Sequence, residues 1–209
     1  ATKRDVKIEG EMRRLLVATQ NQHKLEEYRD LLAGIPFELC SLADLGIDED
    51  VEETGDTFEA NARIKADRYR DLSGMLCLAD DSGIEVDALN LQPGVHSKRW
   101  AGDVDDAERN RQLLARLHEV PDERRAARFR CAIALAEPGK PTVVVEGKVE
   151  GIVAREPKGT NGFGYDPLFF IPDLGATLGE APTDVKNTLS HRARAAQAAR
   201  AILERWAVS

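Results

Sequence analysis

Two aspartates, Asp80 and Asp81, stand side by side at the end of the apolar run of residues 75–79. A carboxylate is costly to remove from water, so a pair at this place needs a bound cation, a framework of hydrogen bonds or exposure to solvent. Ser82 and Gly83 follow, and a turn with an aspartate cap and a glycine at positive φ would explain the same residues. The pattern is therefore compatible with a cation site and with an ordinary turn.

A second polar segment, residues 18–24 (ATQNQHK), lies at a predicted junction between a strand and a helix. It carries Thr19, Asn21 and Lys24. Backbone N–H groups at the start of a helix favour an anion, and Lys24, one turn into the helix, could neutralise a phosphate. The segment matches no Walker-type loop, so an ordinary helix cap with a solvated lysine is the alternative.

A third segment, residues 52–65, joins an acidic loop to a predicted helix. Glu52 and Glu53 lie in the loop, and Asn61 and Lys65 share one helix face because they are four residues apart. These side chains could hold a cation and an anion next to each other. The alternative is a solvated acidic loop.

A fourth segment, residues 159–170 (GTNGFGYDPLFF), is rich in glycine. Gly162 and Gly164 let the backbone approach a flat ligand closely. Phe163 between them offers a stacking face, and Asp166 offers a hydrogen-bond acceptor. An aromatic ring in such a loop can equally be a plug of the core, so this pattern alone does not assign a base site.

Cations and hydrogen-bond donors also gather near the start of the last predicted helix, at Lys186, His191 and Arg192. Such a set could bind phosphate or the polar edge of a ring. Taken alone, His191 is equally well explained as a neighbour of a helix cap.

Composition limits the classes of function. The 209 residues include 37 acidic and 29 basic side chains, for a formal net charge of −8. That balance argues against sequence-independent binding of nucleic acid, which needs lysine and arginine to replace counterions. Clustered cations can still bind a small anion. No apolar run approaches the ~20 residues that a membrane-spanning helix requires.

Three cysteines, Cys40, Cys77 and Cys131, are widely spaced. This odd, scattered set predicts neither a disulfide framework nor a zinc site, and it favours reduced thiols in a cytoplasmic protein. Residues 1–11 lack the apolar core of a signal peptide. We expect them to be a disordered extension or a cloning remnant, and residues 12–209 to form one domain.

Strand and helix patterns alternate along this domain. The predicted strands are residues 14–20, 37–42, 75–80, 84–89, 127–137 and 142–154, and the predicted helices are residues 23–34, 56–74, 105–120 and 191–206. Asp56 and Glu59 form a predicted capping box at the start of the second helix. Strands interleaved with helices, together with one long strand pair, indicate an α/β fold with a mixed sheet.

Six motifs follow one another in a fixed order: VATQN with a lysine three residues on, EETGDTFEANARIKA, ADDSGIEVDAL with PGVHSKRWAG, RFRCAIAL, GFGYDPLFF and KNTLSHRARA. In this order they resemble the inosine triphosphate pyrophosphatase family, whose members hydrolyse non-standard purine nucleoside triphosphates. The resemblance runs from about Leu15 into the C-terminal helix, and several separate motifs in one order make it specific.

The resemblance implies a purine nucleoside triphosphate substrate such as ITP, dITP or XTP. Cleavage between the α and β phosphates would give the monophosphate and pyrophosphate, with Mg²⁺ as cofactor. The resemblance also implies two lobes with the active cleft between them, a strongly twisted mixed sheet flanked by helices, and a homodimer.

Carried over residue by residue, the resemblance assigns phosphate binding to Thr19, Asn21, Lys24 and Lys65. It assigns metal binding to the Glu52–Glu53 pair and to Asp81, which is also the proton acceptor. Ser82 follows as a substrate contact, the base-binding loop is Phe163, Gly164, Tyr165 and Asp166, and the last cluster is Lys186, His191 and Arg192. The chain has Gln20 where the family usually has glycine, and Lys98 in a position that is commonly alanine, so the role of Lys98 stays open.

Adjacent residues of a strand point to opposite faces, so we expect Asp80 to support the site and Asp81 to act in it. Two other functions stay open: a related pyrophosphatase for modified pyrimidine triphosphates, and a nucleotide-binding module that does not hydrolyse. The GFGYDP and SHR motifs together favour purines. A protein that only binds nucleotides would not need Asp81, the two glutamates and both lysines, so these residues favour hydrolysis.

Overall fold

The computed structural model describes residues 12–208. The predicted extension at residues 1–11 lies outside this range. The strands are β1 (Arg14–Val17), β2 (Glu38–Ser41), β3 (Leu76–Val86), β4 (Ala126–Ala136), β5 (Val143–Val153), β6 (Phe169–Ile171) and β7 (Ala176–Thr177). The α-helices are α1 (Gln22–Leu31), α2 (Phe58–Ser73), α3 (Asp106–Arg116), α4 (Thr183–Leu189) and α5 (His191–Ala207).

Within residues 12–208 the strands form one sheet in the order β2-β1-β3-β4-β5-β6-β7. β1 is parallel to β2 and β3, whereas every pair from β3 to β7 is antiparallel. Parallel neighbours need a crossover, which α1 and α2 provide, whereas β4 and β5 are joined by a short turn. The predicted α/β fold with a mixed sheet flanked by helices is confirmed.

Side chains of the inner strands alternate between two hydrophobic clusters, one on each face of the sheet. Leu15 packs with Tyr28 of α1 and Leu203 of α5, whereas its neighbour Leu16 packs with Ala62 of α2. All five are fully buried. Burial of a large apolar side chain stabilises the fold by about 1.5–3 kcal/mol, so these two clusters hold the helices against the sheet.

A third cluster lies at the other end of the long strands. It contains Ile84 of β3, Leu113 of α3 and Phe169 of β6. Ala79, five residues earlier in β3, belongs to the cluster under α2. One continuous strand therefore joins the cluster under α2 to this third cluster, and Asp81 lies on it between the two.

The continuity of β3 corrects the expectation of two extended pieces with a turn between them. Residues 77–86 pair with β4 without interruption, from Cys77 opposite Ala136 to Val86 opposite Ala127. Gly83 has no positive φ. A Cβ atom there would lie 2.3 Å from the Ser97 Oγ, so this glycine permits close packing and does not form a turn.

The start of α2 differs by one residue from the predicted capping box. Thr57 is the cap, with its Oγ1 accepting a hydrogen bond from the Ala60 N–H at 3.1 Å. Asp56 and Glu59 do not form the box, because the extended residue directly before the helix is Thr57. The helix ends at Ser73, next to the predicted end residue Gly74, which is the C-cap and has a left-handed conformation.

All three cysteines are buried free thiols, as predicted. Among the helices of residues 12–208, none has the length and apolar character to cross a membrane.

Candidate active site

Asp80 points into the protein and is 2% exposed. Its Oδ2 accepts hydrogen bonds from the Lys24 Nζ at 3.0 Å and from the Cys131 Sγ at 3.6 Å, and the Arg192 Nε lies 3.6 Å away. Burial would raise the pKa of this carboxyl, but Lys24, Arg192 and Lys65 outweigh burial and hold the pKa below its usual range. Asp80 is therefore a permanent anion that anchors two cations.

Asp81 points to the opposite side, into a cleft. Its Oδ2 accepts a hydrogen bond from the Asn61 Nδ2 at 3.0 Å, and its Oδ1 accepts one from the Ser82 N–H at 2.9 Å. Burial and the neighbouring Glu53 together raise the pKa of Asp81 to about 6, although Lys65 and Asn61 lower it. This carboxylate has less positive charge around it than Asp80 has.

Glu53 is the member of the acidic pair whose charge acts on Asp81. It forms a short ion pair with Lys65, and the Arg99 Nη2 lies 3.5 Å from its Oε2. Burial would lower the Lys65 pKa, but the surrounding carboxylates raise it. Glu52 is exposed. Glu53 and Asp81 are thus the carboxylates best placed to share a cation.

The start of α1 forms one wall of the cleft. Asn21 caps the helix, with its Oδ1 accepting a hydrogen bond from the Lys24 N–H at 3.2 Å, and the Thr19 Oγ1 accepts one from the Asn21 N–H at 3.1 Å. These bonds leave the side-chain amide of Asn21 and the hydroxyl hydrogen of Thr19 as donors. The junction therefore fits both the predicted anion site and the alternative, an ordinary cap.

The glycine-rich loop forms another wall of the cleft. The Asp166 Oδ2 accepts hydrogen bonds from the Phe163 N–H at 2.9 Å and from the Lys186 Nζ at 2.7 Å. Gly162 has φ +72°, and a Cβ atom there would lie 2.1 Å from the same carboxylate oxygen. Burial raises the Asp166 pKa although Lys186 lowers it. This carboxylate therefore holds the backbone that carries the Phe163 ring.

Residues of α3 that the sequence reasoning did not select hold the same loop. The Asp106 Oδ2 accepts a hydrogen bond from the Gly164 N–H at 2.7 Å, and the Asn110 Nδ2 donates one to the Gly164 carbonyl at 3.0 Å. The Tyr165 hydroxyl donates to the Ser97 carbonyl at 2.7 Å. Tyr165 thus fixes the loop through its hydroxyl and does not present that group to the cleft.

Glu27 is a second residue that the sequence reasoning missed. Its carboxylate accepts hydrogen bonds from the Lys186 Nζ at 2.6 Å and from the Arg192 Nη1 at 2.5 Å. Burial would raise its pKa, but Arg192 and Lys186 outweigh burial and lower it. The Arg192 Nη2 also donates to the Ser82 Oγ at 2.9 Å. The sequence offered one signal for Glu27: it lies three residues after Lys24 on α1, which places the two side chains on the same face of the helix.

His191 is buried and stacks on Phe129, with ring centroids 4.6 Å apart and an interplanar angle of 14°. Burial and the neighbouring cations hold the pKa of His191 well below its usual value, so the ring is neutral at pH 7. Its buried Nδ1 has no hydrogen-bond partner among residues 12–208. A neutral ring with an unpaired nitrogen at the cleft can accept or donate one hydrogen bond.

One cavity of about 700 Å³ connects these groups. It is lined by every residue to which the family resemblance assigns a catalytic, substrate-binding or metal-binding role: Thr19, Asn21, Lys24, Glu52, Glu53, Lys65, Asp81, Ser82, Phe163, Gly164, Tyr165, Asp166, Lys186, His191 and Arg192. Lys98 also lines it. Carboxylates and lysines thus share one space with an aromatic ring, which suits a ligand that joins phosphates to a flat base.

Within the described range, no group of three or more His, Cys, Asp or Glu side chains is arranged to hold a metal ion. Two carboxylates are nevertheless sufficient for Mg²⁺, which commonly takes one or two from the protein and further oxygens from substrate phosphates. Glu53 and Asp81 are the two carboxylates of the cavity that could bind Mg²⁺ in this way.

Comparison with known proteins agrees with the motifs. A family model described as the Ham1 family matches residues 15–202. A relative from Geobacter sulfurreducens, named dITP/XTP pyrophosphatase, is 49% identical over 185 residues, which are 88% of this chain and 93% of the relative. A relative with the same name from Symbiobacterium thermophilum is 50% identical over 186 residues, 88% of this chain and 91% of the relative.

Solved structures agree as well. The Ham1 protein of Coxiella burnetii has a TM-score of 0.85 at 40% identity, covering 93% of this chain and 100% of that chain. A structure titled nucleoside-triphosphatase / dITP/XTP pyrophosphatase from Mycobacterium abscessus has a TM-score of 0.72 at 48% identity. The match covers 89% of this chain and 98% of that chain. The family resemblance inferred from the motifs is confirmed: the chain belongs to the Ham1 family.

Proposed function

We propose that this protein hydrolyses the purine nucleoside triphosphates dITP, ITP and XTP to the monophosphate and pyrophosphate, with Mg²⁺. The observation that carries the proposal is the single cavity in which Asp81, Lys24 and Lys65 face the loop of Phe163. The names of the relatives support the substrate class.

In this mechanism Lys24 and Lys65 bind the triphosphate and stabilise the negative charge that develops on the leaving pyrophosphate. Asp81 accepts a proton from the water that attacks the α-phosphorus. Asn61 and the Ser82 N–H hold the Asp81 carboxylate in one orientation, which favours transfer from a fixed direction. The Asp80 carboxylate holds the Lys24 ammonium group in place through a hydrogen bond at 3.0 Å.

The donor set fits Mg²⁺. Asp81 and Glu53 offer hard carboxylate oxygens, and the raised pKa of Asp81 arises from burial and from Glu53, so an added cation would relieve both. When bound, Mg²⁺ supplies positive charge that screens the phosphates. Glu53 and Asp81 would hold it, with Glu52 at the edge of the same cavity.

The base end would read the purine by hydrogen bonds and stacking. Hypoxanthine and xanthine have an acceptor oxygen at C6, where adenine has an amino donor. Donors from Arg192, His191 or backbone N–H groups of residues 163–166 would pair with the oxygen and oppose the amino group, which can support about 10⁴-fold discrimination. Guanine shares the C6 oxygen, so its rejection requires a clash or unpaired donors at the 2-amino group.

A pyrophosphate-release assay tests the proposal. It should include dITP, ITP, XTP, ATP, GTP and modified pyrimidine triphosphates, each with Mg²⁺ and with a chelator. We expect fast release from dITP, ITP and XTP only, and none with the chelator. Fast pyrophosphate release from the modified pyrimidine triphosphates would identify the protein as one of the related pyrophosphatases. Binding of a nucleotide without pyrophosphate release would identify it as a nucleotide-binding module.

A homodimer and a cytoplasmic location belong to the same proposal. Light scattering of the purified chain measures the first, and the proposal expects twice the monomer mass. Fractionation of source cells measures the second.

A further inference from the structure

His23 stacks on Phe163, the ring proposed to hold the purine. Their ring centroids are 5.2 Å apart and the planes differ by 13°. His23 belongs to the first turn of α1, whereas Phe163 lies in the loop held by α3. The contact therefore joins α1 to the glycine-rich loop within the cleft, in the parallel, offset geometry that a purine and a phenyl ring also adopt.

Two cations also lie over the Phe163 ring. The Lys186 Nζ is 4.9 Å and the Arg192 Cζ is 5.5 Å from its centroid. Both side chains are at most 5% exposed and are ion-paired with Glu27. A purine that binds on Phe163 must therefore displace one of these neighbours or His23.

His23 is the neighbour that can be displaced at the lowest cost. It is exposed, and within residues 12–208 its imidazole makes no hydrogen bond or ion pair. An exposed ring stack is a weak interaction. Removal of a buried cation from its carboxylate leaves an unpaired buried charge, which is far more costly.

We infer that the His23 imidazole covers the stacking face of Phe163 in the nucleotide-free protein, and that the substrate purine takes its place. His23 thereby sets the affinity for purines by competing with them. The inference rests on the proposed function, because it assumes that the purine binds on Phe163. The apparent dissociation constant equals the intrinsic one divided by the fraction of protein in which His23 has left the ring.

The inference makes the direction of the effect testable. His23→Ala removes the competitor, so the Kd for dITP should fall by about two- to tenfold, the range that a weak ring stack allows. His23→Phe keeps a ring with a larger stacking surface, so Kd should rise above the wild-type value. Both are measured by calorimetry with Mg²⁺ in an Asp81→Asn background, in which slow turnover leaves the substrate intact during the titration.

Two matched controls accompany these variants. Gln22→Ala changes an exposed neighbour in the same helical turn that does not line the cavity, and it should leave Kd unchanged. In a Phe163→Ala background, His23→Ala should have no effect on Kd, because the ring for which the two compete is absent.

The outcomes separate this inference from the proposed function. If the wild type neither binds nor cleaves purine triphosphates, the proposed function is wrong. If the wild type does both and His23→Ala leaves Kd unchanged, His23 does not compete with the base. A higher Kd in His23→Ala that Phe restores would instead show that His23 contacts the bound purine, and this too would overturn the inference.

Discussion

Asp80 and Asp81 are neighbours in β3, yet their carboxylates lie in opposite environments. Asp80 is held between Lys24 and Arg192 and has a lowered pKa, whereas Asp81 accepts hydrogen bonds from Asn61 and Ser82 and has a pKa raised to about 6. The alternation of a strand separates them. One carboxylate thus organises cations while the other stays available to accept a proton.

The first prediction uses this difference. Asp81→Asn should lower kcat for dITP by about 10²–10⁴-fold, the usual range for loss of a general base, with binding retained. Asp80→Asn should destabilise the protein by about 3–5 kcal/mol, because the partly buried Lys24 and the buried Arg192 both lose an anionic partner. Steady-state kinetics and urea unfolding of both variants measure this. Near-wild-type turnover of Asp81→Asn at saturating Mg²⁺ would exclude Asp81 as the base.

The second prediction concerns the metal. Glu53→Gln should raise the Mg²⁺ concentration needed for half-maximal turnover by about tenfold or more, because one of two carboxylate ligands is lost. Glu52→Gln is the matched control and should change this Mg²⁺ concentration little, because Glu52 is exposed and the ion pair of Lys65 is with Glu53. Titration of both variants with Mg²⁺ decides between the two glutamates, and a larger effect from Glu52→Gln would reverse the assignment.

A third prediction concerns stacking. Phe163→Ala should raise KM for every purine triphosphate without favouring one, with a loss of about 1–3 kcal/mol by analogy with other contacts between bases and aromatic rings. The measurement is KM for dITP, XTP and ATP. The ring would lie outside the base site if selectivity changed while affinity stayed the same.

The fourth prediction concerns base selection. Arg192→Ala should lower kcat/KM for ITP far more than for ATP, which narrows the ratio between them. Arg192 is also paired with Glu27, so a change in Tm must be measured alongside. The matched control is Glu27→Gln, which keeps the arginine. Equal proportional losses for ITP and ATP would mean that Arg192 binds phosphate or holds the fold.

A fifth prediction follows from the buried, neutral His191. Its pKa rises to the ordinary value of 6.5 on unfolding, so below that pH the unfolded chain binds a proton that the folded protein does not. The contribution of His191 to the free energy of unfolding is full above this pH and is lost as the pH falls, by up to about 1.4 kcal/mol per pH unit. The contribution of Asp81 to the free energy of unfolding changes in the opposite direction. Its pKa is raised in the folded protein, so this contribution is present at low pH and is lost as the pH rises.

Comparison of the wild type with His191→Gln isolates this contribution. Urea unfolding between about pH 7 and 5 should show a smaller loss of stability on acidification in the variant. Equal pH dependence in the two proteins would show that His191 is not a buried neutral ring.

Through the family that its motifs resemble, the sequence predicted many of the residues that line the cavity, but it did not select His23, Asp106 or Arg109, which line it as well. The motifs were sufficient to predict the residues that the sequence did select because each motif is local. A cap such as Asn21, or a flexible pair such as Gly162 and Gly164, acts through its immediate neighbours. Alternation along a strand was also sufficient to separate Asp80 from Asp81.

Tertiary structure decided the contacts between distant segments. Glu27 and Arg192 are 165 residues apart, and only the packing of α1 and α5 on the same face of the sheet brings the carboxylate to the guanidinium. The ion pair that distinguishes Glu53 from Glu52 forms because the acidic loop approaches Lys65 of α2. The hydrogen bonds from Asp106 and Asn110 of α3 to Gly164 likewise join segments that are more than 50 residues apart. A sequence pattern reports spacing along the chain, whereas these pairs arise from burial that the whole fold creates.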